Sequence, residues 1–204
     1  GSYRMIKSII FDIGMVLADY NWSGYLQTFA YSEETYQAVA NAVFLSPTWV
    51  ECDRGVLSDQ ELLSGFICNA PEYEKEIKEV YATVGGCIKQ YDYAIPWIQE
   101  LKKKGLGIYA LSNYGERMFA QTGKELNFLE YMDGALISYQ DHLIKPDPRI
   151  YQTLLNRYHL NPEETVFFDD NEDNVKGASD LGIHAFLFHN YEEAAQQLEA
   201  LLKV

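Results

Sequence analysis

Two apolar runs in this chain end in aspartate: Ile9-Ile10-Phe11-Asp12 near the start, and Val166-Phe167-Phe168-Asp169-Asp170 far along the chain. A β-branched and aromatic run accounts for a buried strand, but it gives no reason to end in carboxylates unless the strand ends converge on a site. Acids gathered at one place repel one another. A divalent cation that takes oxygen ligands, Mg2+ foremost, is the simplest agent that holds them together ionised. Asp12, at the end of the first strand, is then the natural nucleophile, because a carboxylate that attacks phosphorus divides a hydrolysis into two displacements. Taken alone, Asp12 reads more simply as a cap for the turn before Gly14.

Three other pieces carry chemistry. In Leu111-Ser112-Asn113-Tyr114-Gly115 a strand opens into a helix, and a hydroxyl, backbone N–H groups and the positive helix end make a place for a phosphoryl oxygen. Plain N-capping explains the same residues. Lys145, within Leu143-Ile144-Lys145-Pro146, is held beside a proline and offers a fixed ammonium that offsets charge developed in phosphoryl transfer. An ordinary loop lysine is the alternative. Of the acidic pair, Asp170 is assigned a direct metal bond and Asp169 a metal-bound water, since neighbours along a chain point in different directions. An acidic helix start, suited to the helix dipole, is the competing account, and it fits Asp173 better than it fits the pair.

The elements that must position these groups are readable from periodicity. Strands are expected over 5–11, 106–111, 135–139, 165–168 and 183–188. Helices are expected over 93–104, 114–126, 148–158, 173–181 and 191–202, with Gly105 and Gly182 as stops. Such alternation implies a Rossmann-like α/β fold: a parallel sheet with helices on both faces and ligands at the carboxyl ends of its strands. Residues from about 22 to 90 differ. Their apolar positions recur at helical spacing, and Ser58-Asp59-Gln60-Glu61 resembles a capping box. The division expected is a core of residues 1–18 and 91–204 with a helical cap of 19–90.

These motifs, taken in order, resemble the haloacid dehalogenase superfamily: strand-Asp, strand-Ser/Thr, Lys, then a strand with an acidic pair, with a cap inserted after the first. Phe11-Asp12-Ile13-Gly14-Met15-Val16, Asp53-Arg54-Gly55-Val56-Leu57-Ser58 and Phe167-Phe168-Asp169-Asp170-Asn171-Glu172-Asp173-Asn174 look like the bacterial alpha-D-glucose-1-phosphatase branch, and the chain is also similar to the phosphatase domain of soluble epoxide hydrolase. The resemblance implies a Mg2+-dependent phosphatase, a phosphoric monoester hydrolase working through an aspartyl-phosphate on a small phosphorylated metabolite such as a sugar phosphate. Most phosphatases of the superfamily carry a second Asp two residues after the nucleophile, as general acid and base. Here Gly14 stands there, able to offer a metal its carbonyl but no proton to a leaving oxygen.

Three responses to that gap are open: a leaving group that needs little help, assistance from Asp53, Arg54, Asp19 or Tyr20, or a non-catalytic protein that binds phosphorylated ligands. A haloacid dehalogenase, which also lacks the second Asp, fits less well beside Asp169-Asp170. Arg54, next to a turn-forming glycine, is expected to contact substrate, with a surface salt bridge as the alternative. The cap aromatics Trp22, Tyr25, Phe29, Tyr31 and Trp49 are read as packing more than as a sugar platform.

With 204 residues and 48% hydrophobic composition, the chain can bury one core and a smaller inserted unit. A net charge of -14 argues against nucleic acid or an anionic membrane as partner. Cys52, Cys68 and Cys87 form no CxxC pair, and neither a membrane-spanning run nor a leader is recognised, so a cytoplasmic setting is expected. Oligomeric state has no signal in the sequence.

Overall fold

The structure is a computed structural model that describes residues 5–203, so residues 1–4 and 204 of the expected core ranges lie outside the described residues. Strand β1 (Ser8–Phe11) is buried at every position, as a run of Ile, Ile and Phe demands when both faces of a sheet are covered. The chain then turns into a short β2 (Ala18–Tyr20) and passes through five helices: α1 (Trp22–Gln27), α2 (Glu33–Ala42), α3 (Pro47–Arg54), α4 (Asp59–Asn69) and α5 (Glu74–Ala82). It returns through β3 (Ile88–Gln90), which pairs antiparallel with β2. Regular alternation follows: α6 (Ala94–Lys103), β4 (Gly107–Ser112), α7 (Glu116–Gln121), β5 (Gly134–Ile137), α8 (Ser138–Asp141), α9 (Pro148–Arg157), β6 (Thr165–Asp169), α10 (Glu172–Ser179), β7 (His184–Leu187) and α11 (Tyr191–Leu202).

The main sheet is parallel throughout, in the order β5-β4-β1-β6-β7, which is the expected Rossmann-like α/β class. Side chains alternate strictly across it. Ile9, Phe11, Ile108, Ala110, Val166 and Phe168 face one core, shared with Trp97 and Ile98 of α6 and Leu198 of α11. Ile10, Leu111 and Phe167 face the other, shared with Ile150 and Leu154 of α9 and Ala178 of α10. Each of these large side chains, removed from water, contributes about 1.5–3 kcal/mol. Register sets the site. Phe11 lies opposite both Ala110 and Phe168, so Asp12 leaves the sheet level with the ends of β4 and β6.

The helices between β2 and β3 pack on their own aromatics. Trp22 stacks on Phe44 at 5.3 Å, Trp49 meets Phe44 at 5.0 Å, and Tyr25, Phe29 and Tyr31 continue the chain of rings. The capping box forms: Glu61 N donates to Ser58 Oγ at 3.1 Å and Ser58 N to Glu61 Oε1 at 2.9 Å.

Two elements differ from expectation. The helix expected over 114–126 is only α7, because Tyr114 N donates to Ser138 Oγ at 2.9 Å and Gly115 stays extended. Beyond Gly123 the chain turns so that Leu126 and Phe128 reach the core through a 3-10 segment, Asn127–Tyr131. The strand expected over 135–139 stops at Ile137, and Ser138 opens α8. That serine also donates to the carbonyl of Asp53 at 2.6 Å, tying α3 to the sheet.

Gly55 completes this junction. It caps α3 with φ +71°, and a Cβ there would stand 2.2 Å from the Tyr139 carbonyl oxygen. Gly55→Ala is therefore expected to lower stability by at least about 1–3 kcal/mol. Gly123→Ala, where an added Cβ meets nothing within 4 Å, is expected to change it by less than about 0.5 kcal/mol. Urea unfolding of the two variants, followed by circular dichroism, checks this, and equal midpoints would contradict it.

Candidate active site

The carboxyl edge of the sheet carries a buried ion cluster. Lys145 reaches it from the loop before α9 and places its ammonium 2.9 Å from Asp12 Oδ1, 2.7 Å from Asp169 Oδ2 and 3.0 Å from the Leu111 carbonyl oxygen. All three protons of the ammonium thus have acceptors, which satisfies a charge that is almost fully out of water. Asp12 is further fixed through its own carboxylate, whose Oδ1 accepts from Ile13 N at 2.8 Å. Asp169 accepts from Asn171 N at 2.9 Å, and Asn174 Nδ2 lies 3.2 Å from its Oδ2. Asp170, next along the chain, lines the same cavity.

The electrostatics are lopsided, with three carboxyls around one ammonium. Burial pushes the Asp12 carboxyl up to about 8; Lys145 pulls it down and the Asp169 charge pushes it up. Burial and Asp169 likewise raise Asp170. Asp12 and Asp169 hold Lys145 firmly protonated against the opposing effect of burial. Oxygens of Asp12, Asp169 and Asp170 all lie within 4.8 Å of one another. An all-oxygen, acid-rich donor set of this size suits a hard divalent cation. Because Asp169 is already engaged by Lys145, Asn171 and Asn174, Asp12 and Asp170 are the carboxylates left to meet such an ion directly.

Of the residues singled out in the sequence, Asp12, Gly14, Ser112, Asn113, Lys145 and Asp170 line one cavity of about 220 Å³. Asp169 lies directly beneath, wholly buried. The Asn113 side chain has a task that the sequence did not announce. Its carboxamide clamps the backbone of Lys145, accepting from Lys145 N at 2.8 Å and donating to Lys145 O at 3.1 Å. The clamp uses the side chain alone, and Asn113 still lines the cavity. Arg54 takes its salt-bridge alternative: its Nε pairs with Glu51 Oε2 at 3.2 Å, one turn back on α3, and it is not among the cavity-lining residues. Its neighbour Asp53 lines the cavity instead.

The outer wall is apolar and aromatic, with Trp49, Leu57, Leu62, Val84 and Met118. A polar cluster crosses it where Arg117 of α7 bridges to Asp59 of α4, with Nε 3.1 Å from Oδ1 and the guanidinium 4.6 Å from the Tyr81 ring centre. Sequence reasoning missed this cluster and the Asn174–Asp169 contact. The second was open to discovery, since Asn174 stands on the first turn of the helix that follows the acidic pair.

A family model for haloacid dehalogenase-like hydrolases matches residues 6–182. The D-ribitol-5-phosphate phosphatase of Bacteroides thetaiotaomicron is 28% identical over 210 residues, covering 97% of this chain and 99% of that protein. Acyl-CoA dehydrogenase family member 10 of Mus musculus is 29% identical over 210 residues, 98% of this chain, which spans only 19% of that longer protein. Among solved structures, a HAD family enzyme from Bacteroides thetaiotaomicron in a magnesium complex superposes with a TM-score of 0.78 at 21% identity, covering 96% of this chain and 99% of the other. At that identity the likeness is one of fold.

Lys145→Met leaves two buried carboxylates without their cation and is expected to cost about 3–5 kcal/mol in urea unfolding, part of which Asp169→Asn in the same chain should recover. A second expectation follows from Asp12. Its folded carboxyl binds a proton over the window from 3.8 to about 8 in which the unfolded one has lost it. Its stabilising contribution is therefore full at the acid end of that window and falls as pH rises through it. A divalent cation that meets Asp12 opposes the loss, so Mg2+ should raise the melting temperature more at about pH 8 than at about pH 5. Equal shifts would remove Asp12 from the ion's ligands.

Proposed function

The chain belongs to the haloacid dehalogenase-like hydrolase family, and we propose that within it the protein is a Mg2+-dependent phosphomonoesterase acting on a small phosphorylated metabolite. The observation that carries this reading is the assembled trio of Asp12, Lys145 and Asp169, with Asp170 beside it at the mouth of a cavity. Asp12 attacks phosphorus and carries the phosphoryl group as an acyl phosphate. Ser112 and the backbone of Asn113 hold phosphoryl oxygens, and Lys145 steadies the nucleophile and offsets the charge that gathers as the ester bond breaks. Water then hydrolyses the acyl phosphate. Asp12, Asp170 and the carbonyl of Gly14 would hold the cation, with Asp169 one shell out. Bound there, the ion supplies neutralising charge for the phosphoryl oxygens.

Residues 19–90 serve as the cap and 1–18 with 91–204 as the core. This division is supported by the two chain crossings being a single paired ribbon, β2 with β3. The free thiols of Cys52, Cys68 and Cys87 support a reducing, cytoplasmic setting, and among the described residues no helix is long and apolar enough to cross a membrane. The similarity to a D-ribitol-5-phosphate phosphatase supports a phosphorylated polyol or sugar as substrate. The cavity wall of Trp49, Leu57, Leu62 and Met118 favours an organic half that also presents an apolar face. A binding-only protein is less well supported, because a relative matched over 97% of this chain and 99% of its own length is a phosphatase.

Phosphate release over a panel of phosphomonoesters, from sugar and polyol phosphates to terpenyl and aryl phosphates, tests the reading. Turnover is expected to need Mg2+, to stop with EDTA and to fall at least about 10⁴-fold in Asp12→Asn. Ligand-induced thermal shifts without turnover would favour the binding protein, and halide release without metal would favour a dehalogenase.

A further inference from the structure

Resting on the phosphatase reading of this site, we propose that Asp53 protonates the leaving oxygen and then deprotonates the attacking water, the task that glycine at position 14 cannot perform. The other candidates are engaged elsewhere or unsuited. Asp19 is approached by the Tyr91 hydroxyl at 3.4 Å and does not line the cavity. Arg54 is paired with Glu51. Tyr20 does line the cavity, but burial holds its phenol so far above neutrality that it is a poor acid. Asp53 lines the cavity together with Asp12, Lys145 and Asp170, and among the described residues no hydrogen bond or ion pair engages its carboxyl.

Its position is unusually well fixed for a residue of the inserted helices. Ser138 Oγ donates to its carbonyl at 2.6 Å, the next carbonyl, of Arg54, lies 3.2 Å from His142 Nδ1, and Gly55 packs against the backbone of Tyr139. Three successive residues are thereby seated on one segment of the core, so Asp53 keeps its place relative to Asp12 and Lys145. A group that transfers protons needs that constancy. Its chemistry fits as well. Burial pushes the Asp53 carboxyl up to about 7 against the pull of Lys145, while Tyr20 and Cys52 beside it stay neutral. The other charged groups that line the same cavity are Asp12, Asp59, Glu116, Arg117, Lys145 and Asp170. Near neutrality the carboxyl therefore exists in both forms, as a group that gives and retakes a proton requires.

The steps balance. As an Asp12 oxygen bonds to phosphorus, the bond from phosphorus to the organic oxygen breaks with its electron pair on that oxygen, and the Asp53 proton moves there to give the alcohol. In the second half, Asp53 takes a proton from water as the water oxygen bonds to phosphorus. The bond from phosphorus to Asp12 breaks with its electrons returned to the carboxylate, and both aspartates regain their starting forms.

The test compares wild type, Asp53→Asn and Asp53→Glu with Mg2+ on an alkyl phosphate and on nitrophenyl phosphate, whose phenolate departs with little need of a proton. Asparagine keeps the shape and removes the exchangeable acid. We expect kcat/KM for the alkyl ester to fall on the order of 10²-fold more than for the nitrophenyl ester. The alkaline limb of the alkyl-ester pH profile should vanish in Asp53→Asn and persist in Asp53→Glu. Equal losses on both esters, or an unchanged alkaline limb in Asp53→Asn, would overturn the assignment while leaving the phosphatase reading intact. Absence of Asp12-dependent phosphate release in the wild type would overturn both.

Discussion

One buried ammonium organises this protein. Lys145 brings a full positive charge to the end of a parallel sheet, where the main-chain carbonyl of Leu111 and two carboxylates receive it. Without those acceptors the charge could not be buried, and without the charge Asp12 and Asp169 could not stand so close. The surrounding architecture serves this contact. Strand register levels Asp12 with Asp169, Asn113 clamps the lysine backbone from the neighbouring strand end, and Asn174 steadies Asp169 from the start of α10. The cluster remains one positive charge short of neutral at least, and that deficit makes it receptive to a divalent cation.

Local physics made much of this readable in advance. Apolar runs that end in acids, glycines that stop helices and a Ser58–Glu61 capping box are decided within a few residues, and the structure realises each of them. The parallel sheet followed from alternation alone. What escaped sequence reasoning is set by contacts between residues far apart. The length of α7 depends on Ser138 holding Tyr114 out of the helix. Asn113 could be recognised as polar and well placed, but its partner lies 32 residues on, and nothing in either segment announces the pairing. The prominence of Asp53 comes from the same source, since the serine that seats it is separated from it by 85 positions.

The wall opposite the ion cluster has its own logic. Arg117 leaves the helix that follows Ser112 and Asn113 and meets Asp59 at the beginning of α4, while Tyr81 donates to the same carboxylate at 2.6 Å and offers its ring to the guanidinium. Asp59 is held below the usual carboxylate range, first by its hydrogen bond with Arg117. A partly exposed pair of this sort adds little to global stability, about 0–1 kcal/mol. Its value is geometric, because it joins α7 of the core to α4 of the inserted helices.

Gly14 carries a consequence for how such sites diversify. A Cβ there would meet nothing nearer than the Tyr20 Cβ at 3.8 Å, and its backbone has no left-handed twist that would forbid other residues. Crowding therefore does not exclude a Cβ at this position. A lineage free to house its proton donor on the floor or on the lid can retune reactivity toward different esters by exchanging one position for the other, with the sheet and its lysine untouched.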